Sequence, residues 1–136
     1  MKVLVDTSVW SLALRRRAPR HDAAEVLRRL VSHGRAALLG PIRQELLSGI
    51  REPGMFARLR EHLQAFPDEP ILTGDYERGA ELFNVCRAVG LQGSNTDFLI
   101  CAVSERLRYP ILTTDDDFAR YARVIPVVLY REQERT

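Results

Sequence analysis

The stretch MKVLVDTSVW, residues 1–10, carries an apolar run into an aspartate and two hydroxyl residues and then returns to apolar character. Val3, Leu4 and Val5 have the aliphatic, partly β-branched make-up of a buried strand. Beyond Asp6 and Thr7 the pattern becomes helical over 8–17, so strand and helix meet at a carboxylate with no glycine and no lysine beside it. In α/β sheets the carboxyl ends of the strands face the ligand crevice, at the point where strand order reverses. Asp6 stands at such an end.

Working outward, the same alternation repeats. Strand-like runs are AALL (36–39), PILT (70–73), PILT again (110–113) and VIPVVL (124–129), the last marked as an edge by Pro126. Helical patterns occupy 22–33, 41–50, 54–65, 75–89, 95–107 and 115–122, with Pro41 suited to a first turn and Gly49 and Gly90 to helix ends. Alternation of this kind predicts one α/β domain over residues 1–136, a three-layer α/β/α arrangement around a central, mainly parallel sheet of about five strands, Rossmann-like in its layering. If the second and third strands add on one side of the first and the fourth on the other, the crevice opens between Asp6 and the segment TTDDDF, 113–118.

A chain of 136 residues, 46% of them hydrophobic, can bury one core. No apolar stretch approaches the roughly 20 residues that cross a bilayer, and no signal-peptide pattern precedes the first strand. A soluble, cytoplasmic protein without membrane contact is expected. Cys86 and Cys101 lie in apolar helical segments without CxxC spacing and read as reduced core residues, while His21, His33 and His62 read as surface residues. The formal net charge is +2, and Lys2 is the single lysine among 20 basic residues. Arg15, Arg16, Arg17 and Arg20 form the densest basic cluster, followed by the scattered Arg51, Arg58 and Arg60. A solvated face accounts for most charge runs, and a nucleic-acid or acidic-partner contact is the alternative, since the guanidinium fork suits phosphate.

Four acids stand out by position. Asp6 ends the first strand, Glu45 lies on the helix after the second, Asp97 opens the helix in GSNTDFLICAVS, and Asp115 follows the fourth strand in ILTTDDDF. Each has a plain local reading: a cap for Asp6 or Asp115, an exposed helical glutamate for Glu45, a capping box for Ser94 and Asp97. All four are nevertheless expected on one edge of one sheet, where carboxylates repel one another unless a cation is present. Lys2 begins its strand at the opposite edge and cannot serve. Oxygen ligands without nearby Cys or His suit Mg²⁺ or Mn²⁺, and carboxylates holding such ions recur in phosphodiester hydrolysis. Thr7, Ser8 and Thr113 are placed to orient those carboxylates or bound waters.

The stretches VLVDTSVW, QELLSGI, TDFLICAV and ILTTDDDF, in this order across most of the chain, resemble the PIN-domain family, and specifically the VapC-type toxin ribonucleases of toxin-antitoxin pairs. The resemblance implies a PIN-like sheet and a catalytic set of Asp6, Glu45, Asp97 and Asp115, with Asp6, Asp97 and Asp115 as metal ligands. Thr7 matches the family's supporting hydroxyl, and Thr113, Asp115, Asp117 and Phe118 match its TxDxDF ending. Asp117 is thus an additional possible ligand, and the division of labour between Asp115 and Asp117 stays open. Also implied are Mg²⁺ or Mn²⁺, endoribonuclease activity on RNA, a homodimer, and a cognate VapB-type antitoxin. On that reading Arg15, Arg16, Arg17 and Arg20 are candidate RNA contacts.

Other α/β sites fit less well. A phosphoacceptor receiver domain and a haloacid-dehalogenase-like phosphatase both need a lysine on a later element, and the latter needs DxD where Ser8 stands. A dinucleotide site needs a Gly-rich first turn. The remaining alternative is a non-catalytic PIN-like module that binds RNA or protein. Trp10, Leu12, Leu14 and Phe56 are candidates for a dimer or antitoxin surface, against the plainer reading of core packing.

Overall fold

A computed structural model of the chain describes residues 1–14 and 22–132. Val3–Val5 forms β1, and the chain passes through Asp6 alone into α1, Thr7–Leu14. There follow α2 (Asp22–Ser32), β2 (Ala36–Ala37), α3 (Gly40–Leu47), α4 (Pro53–Leu63), α5 (Thr73–Ala88), α6 (Asn95–Leu107), β3 (Ile111–Leu112) and α7 (Asp116–Tyr121). The basic cluster Arg15, Arg16, Arg17 and Arg20, with His21, lies outside the described residues.

The sheet is parallel, in the order β2-β1-β3. Val3 and Leu4 pair with Ala36 and Ala37 on one side, and Leu4 and Val5 pair with Ile111 and Leu112 on the other. As the central strand with helices on both faces, β1 has no solvent side, and Val3, Leu4 and Val5 are fully buried. Strand order therefore reverses at β1, which is the condition for a crevice beside Asp6, and the ends of β1 and β3 lie side by side.

The sheet has three strands among the described residues. Single parallel bridges, Leu38 to Asp68 and Ile111 to Leu129, continue it on either side where further strands were expected. The first PILT is not a strand. Pro70 has no N–H, its carbonyl accepts from Arg106 Nη2 at 2.8 Å, and the Leu72 N–H donates to Asp75 Oδ2 at 2.8 Å. Its backbone groups are thus taken by side chains, and the helix begins at Thr73. In VIPVVL, Pro126 again lacks a donor and Val127 N–H turns back to the Ile125 carbonyl at 2.8 Å, so pairing resumes only around Leu129.

The helix that leads into β3, α6, is the most enclosed among the described residues. In α6 every residue from Phe98 to Ser104 is buried, and α5 packs along it. Gly79 permits that approach, since a Cβ there would fall 3.4 Å from the Phe98 carbonyl oxygen and 3.5 Å from Leu99 Cα. Cys86 and Cys101 are both in this core, and burial pushes their thiols up. Trp10 is core as well, with Nε1 donating to the Val5 carbonyl at 3.1 Å and the ring edge-on to Phe66. Leu14 is partly exposed, and Phe56 carries Arg60 over its ring. His33 and His62 are exposed. No described helix is long and apolar enough to cross a membrane.

Candidate functional site

At the crevice between β1 and β3 the chain's hydroxyls converge on Asp6. Its Oδ2 accepts from Ser8 Oγ at 2.9 Å and from Thr113 Oγ1 at 2.9 Å. Each hydroxyl is itself oriented by a backbone donor, Thr114 N–H to Ser8 Oγ at 3.1 Å and Asp115 N–H to Thr113 Oγ1 at 3.0 Å. Asp6 is only 7% exposed, yet among the described residues its side chain accepts from hydroxyls and not from a helix N–H; the backbone carbonyl instead receives the Val9 and Trp10 N–H groups at the start of α1. The simple cap is therefore not what Asp6 does. Thr7 points the other way and donates from Oγ1 to Glu45 Oε2 at 2.6 Å, which ties exposed Glu45 on α3 to the end of β1.

Asp97 reaches the same edge from α6. Ser94 is the helix cap and accepts the Asp97 N–H at 3.1 Å, so half of the expected capping box forms. The other half is replaced: Asp97 Oδ2 accepts from the Tyr121 hydroxyl at 2.9 Å. Burial, above all, raises the Asp97 carboxyl above the ordinary carboxylate range; the hydroxyls of Tyr121 and Ser94 oppose this, and the charges of Asp6 and Asp115 add to it. Burial and the Asp97 carboxylate in turn hold the Tyr121 phenol well above its usual range, which keeps it protonated and donating.

Asp115 and Asp117 separate in role. Asp115 caps α7, its Oδ1 accepting the Asp117 N–H at 2.9 Å. Asp117 is ion-paired to Arg120, Nη1 to Oδ1 at 2.7 Å. The local capping reading thus holds for Asp115, without removing its second oxygen from use.

Two residues absent from the sequence reading complete the site. Tyr121 is buried at the end of α7, its ring tilted against Phe98 and edge-on to Phe118. Gly93 is the reason it fits: a Cβ there would lie 2.1 Å from the Tyr121 hydroxyl oxygen and 2.8 Å from the ring. The available signal was Tyr121 lying one turn after Asp117 on a short helix, which does not reveal that its hydroxyl turns toward α6.

The donors suit a hard divalent cation in kind. Among the described residues Asp6, Glu45, Asp97 and Asp115 have no lysine or arginine partner, whereas Glu69, Asp68, Glu105, Asp75 and Asp117 all do. In position the match is looser: among the described residues no three Asp, Glu, His or Cys side chains are grouped closely enough to hold an ion.

The sequence matches the PIN domain family over residues 3–124. Solved structures with the same fold include VapBC2 from Rickettsia felis bound to a DNA fragment from their promoter, at 15% identity and TM-score 0.77, covering 98% of this chain and 100% of that one. FitAcB from Neisseria gonorrhoeae is 20% identical with TM-score 0.75, covering 94% and 96%. A toxin-antitoxin complex from Klebsiella pneumoniae is 20% identical with TM-score 0.68, covering 87% and 91%. No curated protein sequence matches.

Proposed function

The chain belongs to the PIN-domain family, whose members are generally nucleases, and from that premise we propose that it is a metal-dependent endoribonuclease, the toxin of a VapBC-type pair. The observation that carries the reading is the set of acids left without cations. Asp6 and Asp115 are near enough for their charges to raise the Asp97 carboxyl, behind the larger effect of burial, and none of the three has a basic partner among the described residues. In this reading they hold Mg²⁺ or Mn²⁺, with Glu45 beside them.

Such an ion supplies an activated water and a charge for the leaving oxygen. The chain's own residues supply orientation. Ser8 and Thr113 lock Asp6 Oδ2, Thr7 steers Glu45, and Tyr121 fixes Asp97 while its hydroxyl stays protonated. Asp115 is the stronger candidate ligand than Asp117, whose charge Arg120 already offsets. The toxin assignment draws on neighbours described as VapBC2, FitAcB and a toxin-antitoxin complex. It carries with it a VapB-type antitoxin, a homodimer and a cytoplasmic location.

The test is cleavage of labelled RNA with Mg²⁺, with EDTA, and with Asp6→Ala. Discrete cuts only in the wild-type reaction with metal are expected; cuts that survive EDTA or the substitution overturn the assignment. A second reading, a non-catalytic PIN-like module binding RNA or protein, is favoured by the loose grouping of the acids. Mn²⁺ titration separates the two: calorimetric heat from wild type but not from Asp6→Ala supports the nuclease, and no heat from wild type supports the binding module.

A further inference from the structure

Next to the acid edge lies a cavity of about 280 Å³ lined by Phe83, Arg87, Leu91, Gln92 and Gly93. It connects to the acids through Tyr121: the Tyr121 hydroxyl, whose proton goes to Asp97, has its oxygen 3.5 Å from the Gln92 carbonyl oxygen, and Gly93 is the residue that makes room for that side chain. The cavity wall is braced by the same aromatic cluster. Phe83 meets Phe98 edge-on at 5.5 Å, and Phe98 lies 4.8 Å from Tyr121, which donates to Asp97. Phe83 and Leu91 are partly exposed and Arg87 is exposed. Among the described residues no carboxylate pairs with the Arg87 guanidinium.

An aromatic and an aliphatic wall, peptide groups at Gln92 and Gly93, and an unpartnered guanidinium are the elements that recognise an unstacked nucleotide. The ring takes the base face, the backbone takes polar base edges, and the guanidinium takes phosphate. The volume is just below the roughly 300 Å³ at which ligand pockets begin, which suits one nucleotide rather than a longer segment. An apolar protein side chain would use the walls and leave Arg87 unused, and an acidic one would do the reverse.

Resting on the ribonuclease reading above, we propose that this cavity binds one unstacked RNA nucleotide beside the cleaved bond, with the base against Phe83 and Leu91 and a flanking phosphate on Arg87. The cavity then selects which nucleotide stands next to the cut. It adds a specificity determinant that is separate from the acids.

The test is single-turnover cleavage of a random-sequence RNA pool with Mg²⁺ by the full chain, by Phe83→Leu and by Arg87→Gln, with cut positions read by sequencing. Phe83→Leu keeps an apolar side chain against Phe98, Arg87→Gln changes an exposed residue, and thermal melting confirms that both fold. Phe83→Leu is expected to raise the half-saturating protein concentration about tenfold, the scale of one lost base stack, and to flatten the nucleotide preference beside the cut. Arg87→Gln is expected to weaken binding across all sequences and to lower the salt dependence by about one phosphate contact. A purely structural role for Phe83 would leave the nucleotide preference in place. If the wild type cuts RNA and both variants match it in half-saturation and preference, the cavity assignment is overturned while the ribonuclease stands, and the pocket falls to a protein side chain. If the wild type cuts no RNA, the function is overturned and the nucleotide site with it.

Discussion

The two ends of α6 treat a neighbouring carboxylate in opposite ways. At its C-terminal end Arg106 forks onto Asp75 of α5, Nε to Oδ1 at 2.7 Å and Nη2 to Oδ2 at 2.9 Å. Arg106, ahead of the Leu72 N–H, holds the Asp75 carboxyl below the ordinary range although Asp75 is only 2% exposed. At its N-terminal end Asp97 has a tyrosine hydroxyl for a partner and other acids for neighbours, and its carboxyl is raised. A buried acid that serves the fold brings a guanidinium with it. An acid kept within reach of other acids and without a cation is poorly explained by folding alone, and it marks the end of α6 at which to look for chemistry.

The contrast can be broken most forcefully at Asp97. In the cleavage assay Asp97→Asn should lose at least about 100-fold in rate, beyond the usual 10–100-fold effect of residues that only orient ligands. Circular dichroism should show an intact fold, since the Ser94 cap to the residue 97 backbone survives. Activity near the wild-type level would reduce Asp97 to a helix-start residue.

At the other end the effect should fall on stability. Removing one partner of a buried pair typically costs 3–5 kcal/mol; with Arg106 a third exposed, Asp75→Ala is expected to lose about 2 kcal/mol in urea unfolding. The pH dependence sharpens this. Because the folded carboxyl lies below its unfolded value, its contribution is present in full above the ordinary carboxylate range and is lost as pH falls through the depressed folded value. Asp75→Ala should therefore lose least relative to wild type in strong acid; a pH-independent difference would mean that packing, not charge, is what the pair provides.

Tyr121→Phe removes only the hydroxyl from Asp97. About tenfold weaker Mn²⁺ binding or slower cleavage is expected, together with an upward move in the acid limb of the pH profile, because the lost hydrogen bond had favoured the charged carboxylate. An unchanged profile would make Tyr121 a packing residue.

The smallest effect returns to Asp97 with the opposite sign from its effect on activity. Its raised carboxyl binds protons more tightly folded than unfolded, so ionisation works against folding as pH rises through that window. Without added metal, Asp97→Asn should melt slightly higher than wild type at neutral pH, and the gain should vanish as pH falls below the ordinary carboxylate range. A lower melting temperature at neutral pH would show that the charge supports the fold.

Much of this was legible in the chain. The apolar run of β1, Pro41 in the first turn of α3, the Ser94 cap and Gly90 after α5 are signals that act over a few residues, and each stands where its local chemistry places it. The failed strand at PILT shows the limit, because the same four letters contain β3, Ile111–Leu112, at 110–113 and a capped helix start at 70–73. What differs is that Arg106 and Asp75 claim the backbone groups of the first, and Arg106 lies 36 residues away.

Sequence by itself determined the alternation of strand and helix and the placing of acids at strand ends and helix starts, because periodicity, caps and turn residues are short-range in their physics; the order β2-β1-β3 comes from the tertiary structure. Only the tertiary structure decided which acids are neutralised and which are left to one another. The bonds from Thr113 to Asp6 and from Tyr121 to Asp97 join residues 107 and 24 positions apart, and the pKa of a buried carboxylate depends on whatever the packed fold brings against it.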